Sequence, residues 1–260
     1  MRNLVTVVTV TFDNFEELLA TVRSLPRTPE IEHVVINGGS CPRTRAYLEQ
    51  EFHGVSRSEP DGGIADAFNK GARLARGEGV AYLNSGDLFI GGDYYQAAGE
   101  LLGRRPEVAF VHSNLLFRDA LAGELSMRPT LAALGRGMPY QHPTMVVRRS
   151  VLERLGAFDT TKRIAMDFDF VCKLHAARLE GVYLDRPPVV CMDGTGVSAR
   201  NELRAMRECY ASLRAHGLLS LENRLGYLRR RGLHLVRSGM AAAVLKPVLA
   251  HLKRRKHPVR

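Results

Sequence analysis

Three short apolar runs, each ending on polar turn residues, limit what this chain can fold into. Leu4–Thr11 is rich in Val and Thr and leads into Phe12-Asp13. Ile31–Ile36 ends at Asn37-Gly38-Gly39-Ser40, and Val80–Leu83 at Asn84-Ser85-Gly86-Asp87. β-Branched residues at this density predict buried strands. Between the runs, apolar residues fall at helical spacing. Leu18, Leu19, Val22 and Leu25 share one face after a cap at Asp13 or Asn14, and a short helix follows from about Arg43 to Glu51. Ile64, Ala67, Phe68, Gly71, Leu74 and Ala75 then mark a helix closed by Gly77. Strand and helix in alternation predict an α/β fold with a doubly wound, mainly parallel sheet. Such sheets bind ligands beyond the carboxyl ends of their strands, so the three polar tips predict one functional rim.

Further on, the pattern predicts a helix over about Gly92–Gly103, a strand Val108–Ser113 and a hairpin Leu115–Met127 turning at Ala122-Gly123. A helix Asp167–Leu179, a strand within Val182–Cys191 and a helix Glu202–His216 follow. A last helical stretch, Glu222–Lys256, is expected to break at Gly232, Gly239 and Pro247. The expected division is a domain over residues 1–200 and a helical, basic appendage over 201–260. A chain of 260 residues with 45% hydrophobic content can fill such a core. Cys41, Cys172, Cys191 and Cys209 have no CxxC or His-paired spacing, so neither a zinc site nor a disulfide framework is indicated. No stretch has the apolar core of a secretory signal or the ~20 apolar residues of a membrane span, which makes the cytoplasm the expected compartment.

The net charge of +10 is a property of the end of the chain: eleven Lys and Arg and no Asp or Glu lie between Asn223 and Arg260, leaving −1 for the rest. Leu225, Leu228, Leu235, Val236 and later apolar residues alternate there with Arg229-Arg230-Arg231 and Lys253-Arg254-Arg255-Lys256. This pattern fits a helix on an anionic membrane surface, and equally a helix packed on the domain with a solvated basic face. A nucleic-acid partner is disfavoured, since Tyr227 is the only aromatic residue of the segment.

The segment Ser58–Gly71, SEPDGGIADAFNKG, followed by the tip Asn84–Asp87, resembles the heart of a family 2 glycosyltransferase. The likeness is to the inverting kind on a GT-A scaffold, and nearest to bacterial colanic-acid and phenolic-glycolipid enzymes. Ala65 departs from it, standing where that family carries Tyr. VVTVTFDN and INGGSCPRT resemble the family's first two strand ends. Ile164–Phe170, IAMDFDF, resembles its D-aromatic-D motif, and Tyr140–Pro143 with Gly156–Asp159 a later region of it. The likeness spans roughly residues 4 to 195.

It implies a nucleotide diphosphate sugar donor, UDP-linked, and a lipid-linked or polysaccharide acceptor, with the enzyme peripheral on the inner face of the cell membrane. Departure of the diphosphate builds negative charge, which a divalent cation (Mn²⁺ or Mg²⁺) on hard oxygen ligands neutralises. Asp87 is the implied metal ligand. Thr11, Phe12, Asn37, Gly38, Asp61, Asp66, Asn69 and Asn84 are the implied donor contacts. Asp167 is the implied general base, with His142 and Asp169 near acceptor or diphosphate. The processive signature QxxRW is absent, which favours addition of a single sugar. Taken singly, Asp61 and Asp167 read equally as helix-start carboxylates, the tips as turns, and His142 as a structural residue. A non-catalytic sugar-nucleotide binding protein is the rival reading, suggested by Asn37, Ser85 and Gly86 where acids are often found.

Overall fold

The computed structural model describes residues 5–130, 134–194 and 201–239, with backbone only for 235–239. The first half alternates strand and helix, with one strand, β3, not expected from the sequence: β1 (Val5–Thr11), α1 (Phe15–Ser24), β2 (Ile31–Asn37), α2 (Pro42–Gln50), β3 (Val55–Ser58), α3 (Ile64–Leu74) and β4 (Gly79–Tyr82). β5 (Leu88–Phe89), α4 (Tyr94–Arg104), β6 (Phe110–His112) and the hairpin of β7 (Leu115–Asp119) and β8 (Gly123–Met127) follow. Then come β9 (Val146–Arg148), α5 (Arg149–Leu155), α6 (Met166–Ala176), β10 (Gly181–Tyr183), β11 (Val190–Asp193), α7 (Glu202–Ala215) and α8 (Leu221–Gly239).

A seven-stranded sheet has the order β10-β6-β9-β4-β1-β2-β3. β1 pairs in parallel with β2 and β4, β2 with β3, and β6 with β10, whereas β9 runs antiparallel to both its neighbours. Every residue of β1 is buried, as expected of a strand covered on both faces. Val5 and Val7 join the core under α4, with Tyr94, Tyr95 and Leu102. Val8 and Val10 join the opposite core, with Phe68, Tyr82 and Phe170. That period of two makes the sheet doubly wound. A smaller sheet has the order β5-β11-β7-β8.

Four local expectations are corrected. α3 ends at Leu74, not Gly77; a Cβ on Gly77 would lie 2.6 Å from the Thr6 nitrogen, so this glycine serves a close approach to β1. The stretch Val182–Cys191 holds parts of two strands in different sheets, β10 and β11, separated by Pro187-Pro188, which supply no N–H for a ladder. Gly232 does not break α8, since an interior glycine costs a helix only about 1 kcal/mol. Neither Asp13 nor Asn14 caps α1 with its side chain; both serve the rim described below. The breaks expected at Pro247 and the basic run Lys253–Lys256 lie outside the described residues.

Candidate active site

Parallel register sets Thr11 beside Asn37, and the Gly38 N–H donates to the Thr11 carbonyl at 3.1 Å, so the first two strand tips form one ledge. Asp13, at φ 53°, accepts from the backbone of Ser40 (2.7 Å) and Cys41 (2.8 Å) and thereby fixes the start of α2. Asn14 turns back to accept from the Thr11 hydroxyl (2.6 Å) and the Phe12 N–H (3.1 Å). The Phe12 side chain is left 68% exposed. Asn37 is fully buried: its amide oxygen accepts from Gly39 (3.0 Å) and its amide nitrogen donates to Ser58 (3.3 Å). A base contact from the Asn37 amide would therefore compete with the bonds that shape the loop. A Cβ on Gly38 would fall 1.8 Å from Asp61 Oδ2, so only glycine lets the Asp61 carboxylate approach this ledge.

Ahead of α3, Asp61 Oδ1 accepts from the Gly63 N–H (2.9 Å) and Asp66 Oδ2 from the Gly62 N–H (3.0 Å). The Gly62 N–H foremost, with help from Lys70, holds the Asp66 carboxyl below the usual range against a modest burial effect. Lys70 lies 3.3 Å from Asp66 and 3.1 Å from Glu59 and donates to the Pro60 carbonyl, so it braces the segment. Arg163, which the sequence did not single out, bonds the Gly62 carbonyl and ties this loop to the start of α6. Asn69 has a different place from the donor contact expected of it. Its amide both accepts from and donates to the Phe158 backbone, at 3.0 and 2.9 Å. The clamp fixes the Phe158 ring against Phe68, Tyr82 and His142.

The tip after β4 is held from α1. Thr21, fully buried, accepts from the Gly86 N–H (2.9 Å) and donates to the Asp87 carbonyl (2.8 Å). With that backbone fixed, Asn84 Oδ1, Ser85 Oγ and Asp87 Oδ2 are buried and make no hydrogen bond to protein. Three such atoms within four residues suit a polar ligand, since buried polar groups are otherwise paired. Burial foremost, with repulsion from Asp193, pushes the Asp87 carboxyl up to about 7 despite a backbone hydrogen bond from Asn84. A cation would relieve both effects, so these residues fit a divalent ion with hard oxygen ligands. Among the described residues no three His, Cys, Asp or Glu side chains converge on one point. Thr21→Val is expected to leave the Gly86 N–H and Asp87 carbonyl without partners and to cost about 1–3 kcal/mol. A lower urea midpoint at unchanged slope would register it.

In the D-aromatic-D segment, residues 164–170 are all buried except Asp167, making it the accessible carboxylate of the motif. Asp167 Oδ1 accepts from the Phe168 N–H at 2.7 Å. Asp169, by contrast, is buried against His216 (3.1 Å) and Lys173 (4.0 Å), away from the accessible face. His142 stacks on Tyr82 at 5.9 Å; burial lowers its basicity, and the charge of Asp167 partly opposes that. Glu208 of α7, unforeseen from the sequence, accepts from the backbone of Arg163 (3.1 Å), Ile164 (2.9 Å) and Ala165 (3.0 Å), so it caps α6 and sets where Asp167 stands.

Burial raises the Glu208 carboxyl, but those N–H groups outweigh it and hold the group below its ordinary 4.5. A depressed carboxyl stabilises the fold above its unfolded value, and the contribution is lost as pH falls through the folded one. Glu208→Gln should therefore lower the urea midpoint at neutral pH, and the gap to wild type should narrow below about pH 4.5. A gap independent of pH would mean that charge plays no part in the cap. A cavity of about 450 Å³ bounded by Phe15, Leu19, Arg23 and Tyr47 lies between α1 and α2 and shares none of these groups.

The description of glycosyl transferase family 2 matches residues 6–156. An uncharacterized glycosyltransferase of Mycobacterium tuberculosis is 32% identical over 213 residues, covering 78% of this chain and 79% of that one. Among solved structures, S. aureus TarS (residues 1–349) in complex with UDP-GlcNAc superposes with a TM-score of 0.64 at 15% identity, covering 96% of this chain and 79% of that one. The mannosyltransferase PcManGT of Pyrobaculum calidifontis, in complex with GDP-Man and Mn²⁺, gives 0.59 at 20% identity, covering 97% and 81%. The fold is that of the GT-A glycosyltransferases. The chain belongs to glycosyl transferase family 2.

Proposed function

We propose that the protein moves one sugar, with inversion, from a UDP-linked nucleotide diphosphate sugar to a hydroxyl of a lipid-linked or polysaccharide acceptor. The observation that carries this reading is the tip at Asn84–Asp87, where three buried oxygens lack partners. In this reading Phe12 stacks on the base, Asp61 and Asp66 order the loop that faces the ribose and phosphates, and Asn84 supports the ribose. Asp87 would hold a divalent cation, which supplies charge neutralisation for the departing diphosphate. Asp167 accepts the proton of the acceptor hydroxyl as its oxygen bonds to the anomeric carbon and the bond to the diphosphate oxygen breaks on the opposite face. His142, low in basicity and ringed by Tyr82 and Phe158, borders the acceptor side as a neutral group.

Residues 1–200 form the catalytic unit in this reading. The appendage 201–260 braces it through Glu208 and holds it at the inner face of the cell membrane, where a lipid-linked acceptor resides. The test is a thermal-shift screen of UDP- and GDP-sugars with and without Mn²⁺, because a bound ligand raises apparent stability by mass action. A shift for UDP-sugars that needs Mn²⁺ is expected, followed by transfer to acceptor. A shift for GDP-sugars alone would reassign the base, and binding without any transfer or hydrolysis would make this a sugar-nucleotide binding protein.

A further inference from the structure

Helix α8 packs on the protein with its polar side. Asn223 is buried and accepts from the Gly135 N–H at 2.8 Å. A Cβ on Gly226 would lie 2.8 Å from the backbone of Gly135, the Tyr227 ring is 4.5 Å from Tyr210, and His234 meets Glu202 at 2.9 Å. The opposite side carries the apolar residues: Leu221 is 74% exposed, Leu225 58% and Leu228 59%. Steps of four and three place these on one stripe. Gly232, the next position of the stripe, has nothing within 4 Å of a built Cβ. Exposed cations flank the stripe, Arg224 and Arg231 on one side and Arg229 on the other. A helix that turns these leucines outward between arginines, while packing Asn, Gly and His against the protein, is built to be covered by something apolar and anionic.

We propose that this face is a lipid-docking surface. Leu221, Leu225 and Leu228 enter the acyl boundary of an anionic bilayer, and Arg224, Arg229 and Arg231 meet its phosphates. The proposal rests on the membrane reading above and deepens it by assigning the contact to a folded helix of the described structure. A second copy of the chain is a poor cover, since a two-fold contact would set arginines against arginines. The charge of the surrounding sequence agrees with lipid, because no Asp or Glu follows Glu222 through Arg260. Among the described residues no helix is long and apolar enough to cross a membrane, so the helix lies in the interface plane. On the packed side of α8, Arg230 is turned toward Cys209 of α7.

The chain has no tryptophan, so Leu228→Trp in the full-length protein gives a single reporter on the stripe. Its emission is expected to be that of an exposed indole in buffer. It should move to the blue with mixed phosphatidylglycerol and phosphatidylcholine vesicles, stay put with phosphatidylcholine alone, and return as salt is raised. A triple variant, Leu221→Ser with Leu225→Ser and Leu228→Ser, keeps every charge and should lower co-sedimentation with the anionic vesicles about tenfold or more. Overturning results are an unshifted emission on anionic vesicles, an emission already blue in buffer, or unimpaired sedimentation of the triple variant, which would assign binding to the cations alone. Nucleotide-sugar binding by the same triple variant should equal wild type. If vesicles bind but no nucleotide sugar does in either protein, the transferase reading fails while the docking surface stands.

Discussion

Asp167→Asn is expected to leave nucleotide-sugar affinity unchanged and to lower transfer by about 10²–10⁴-fold, the range for a lost general base. The substitution keeps the shape of the side chain. An amide oxygen can still accept from the Phe168 N–H, as Asp167 Oδ1 does at 2.7 Å, so the start of α6 should not move. What disappears is the capacity to take a proton. Asp169→Asn is the matched control, because Asp169 is buried beside His216 and Lys173 and its loss should appear in stability. Single-turnover transfer and calorimetric donor affinity, measured on both variants, separate the two roles. Near-normal turnover in Asp167→Asn would remove it from proton transfer, and an equal loss of turnover in both variants would point to a damaged scaffold.

The parts of this site that could be read from the chain are those whose chemistry is local. A Val- and Thr-rich run followed by Asn, Gly or Asp declares a buried strand and its polar tip within about ten residues, and β1, β2 and β4 end within one residue of the pattern. Asn69 shows the limit. It lies off the apolar stripe of α3 and so reads as free for a ligand, but its partner is the Phe158 backbone, 89 residues away. Thr21 and Glu208 were missed for the same reason. A threonine in a helix and a glutamate in a basic appendage carry no mark of the Gly86 loop, 65 residues on, or of the Ile164 backbone, 44 residues back. α8 inverts the usual inference: helical periodicity finds two faces, and the apolar one is expected inward. The exposed Leu225 and Leu228 reverse that because Gly135 and Tyr210 offer backbone and a ring, which Asn223, Gly226 and Tyr227 match better than leucine.

Asp87→Ala is expected to abolish the enhancement of nucleotide-sugar binding by Mn²⁺ without weakening the fold. The two halves of that expectation come from one fact, that the carboxylate is buried with Oδ2 unpaired. A carboxyl raised from 3.8 to about 7 by burial, then by Asp193, opposes folding increasingly as pH rises through that interval. Its removal should therefore leave the urea midpoint above pH 7 equal to wild type or higher, even though the hydrogen bond from Asn84 is lost. Such a group is retained at a cost to stability, which is common where a side chain serves a ligand. Calorimetric titration of a UDP-sugar with and without Mn²⁺ should give one affinity for the variant and two for wild type. If the variant still responds to Mn²⁺, the cation is held elsewhere, and Asp193→Ala becomes the next substitution to titrate. If instead the variant loses stability above pH 7, Asp87 is a structural residue of the tip and the metal assignment falls with it.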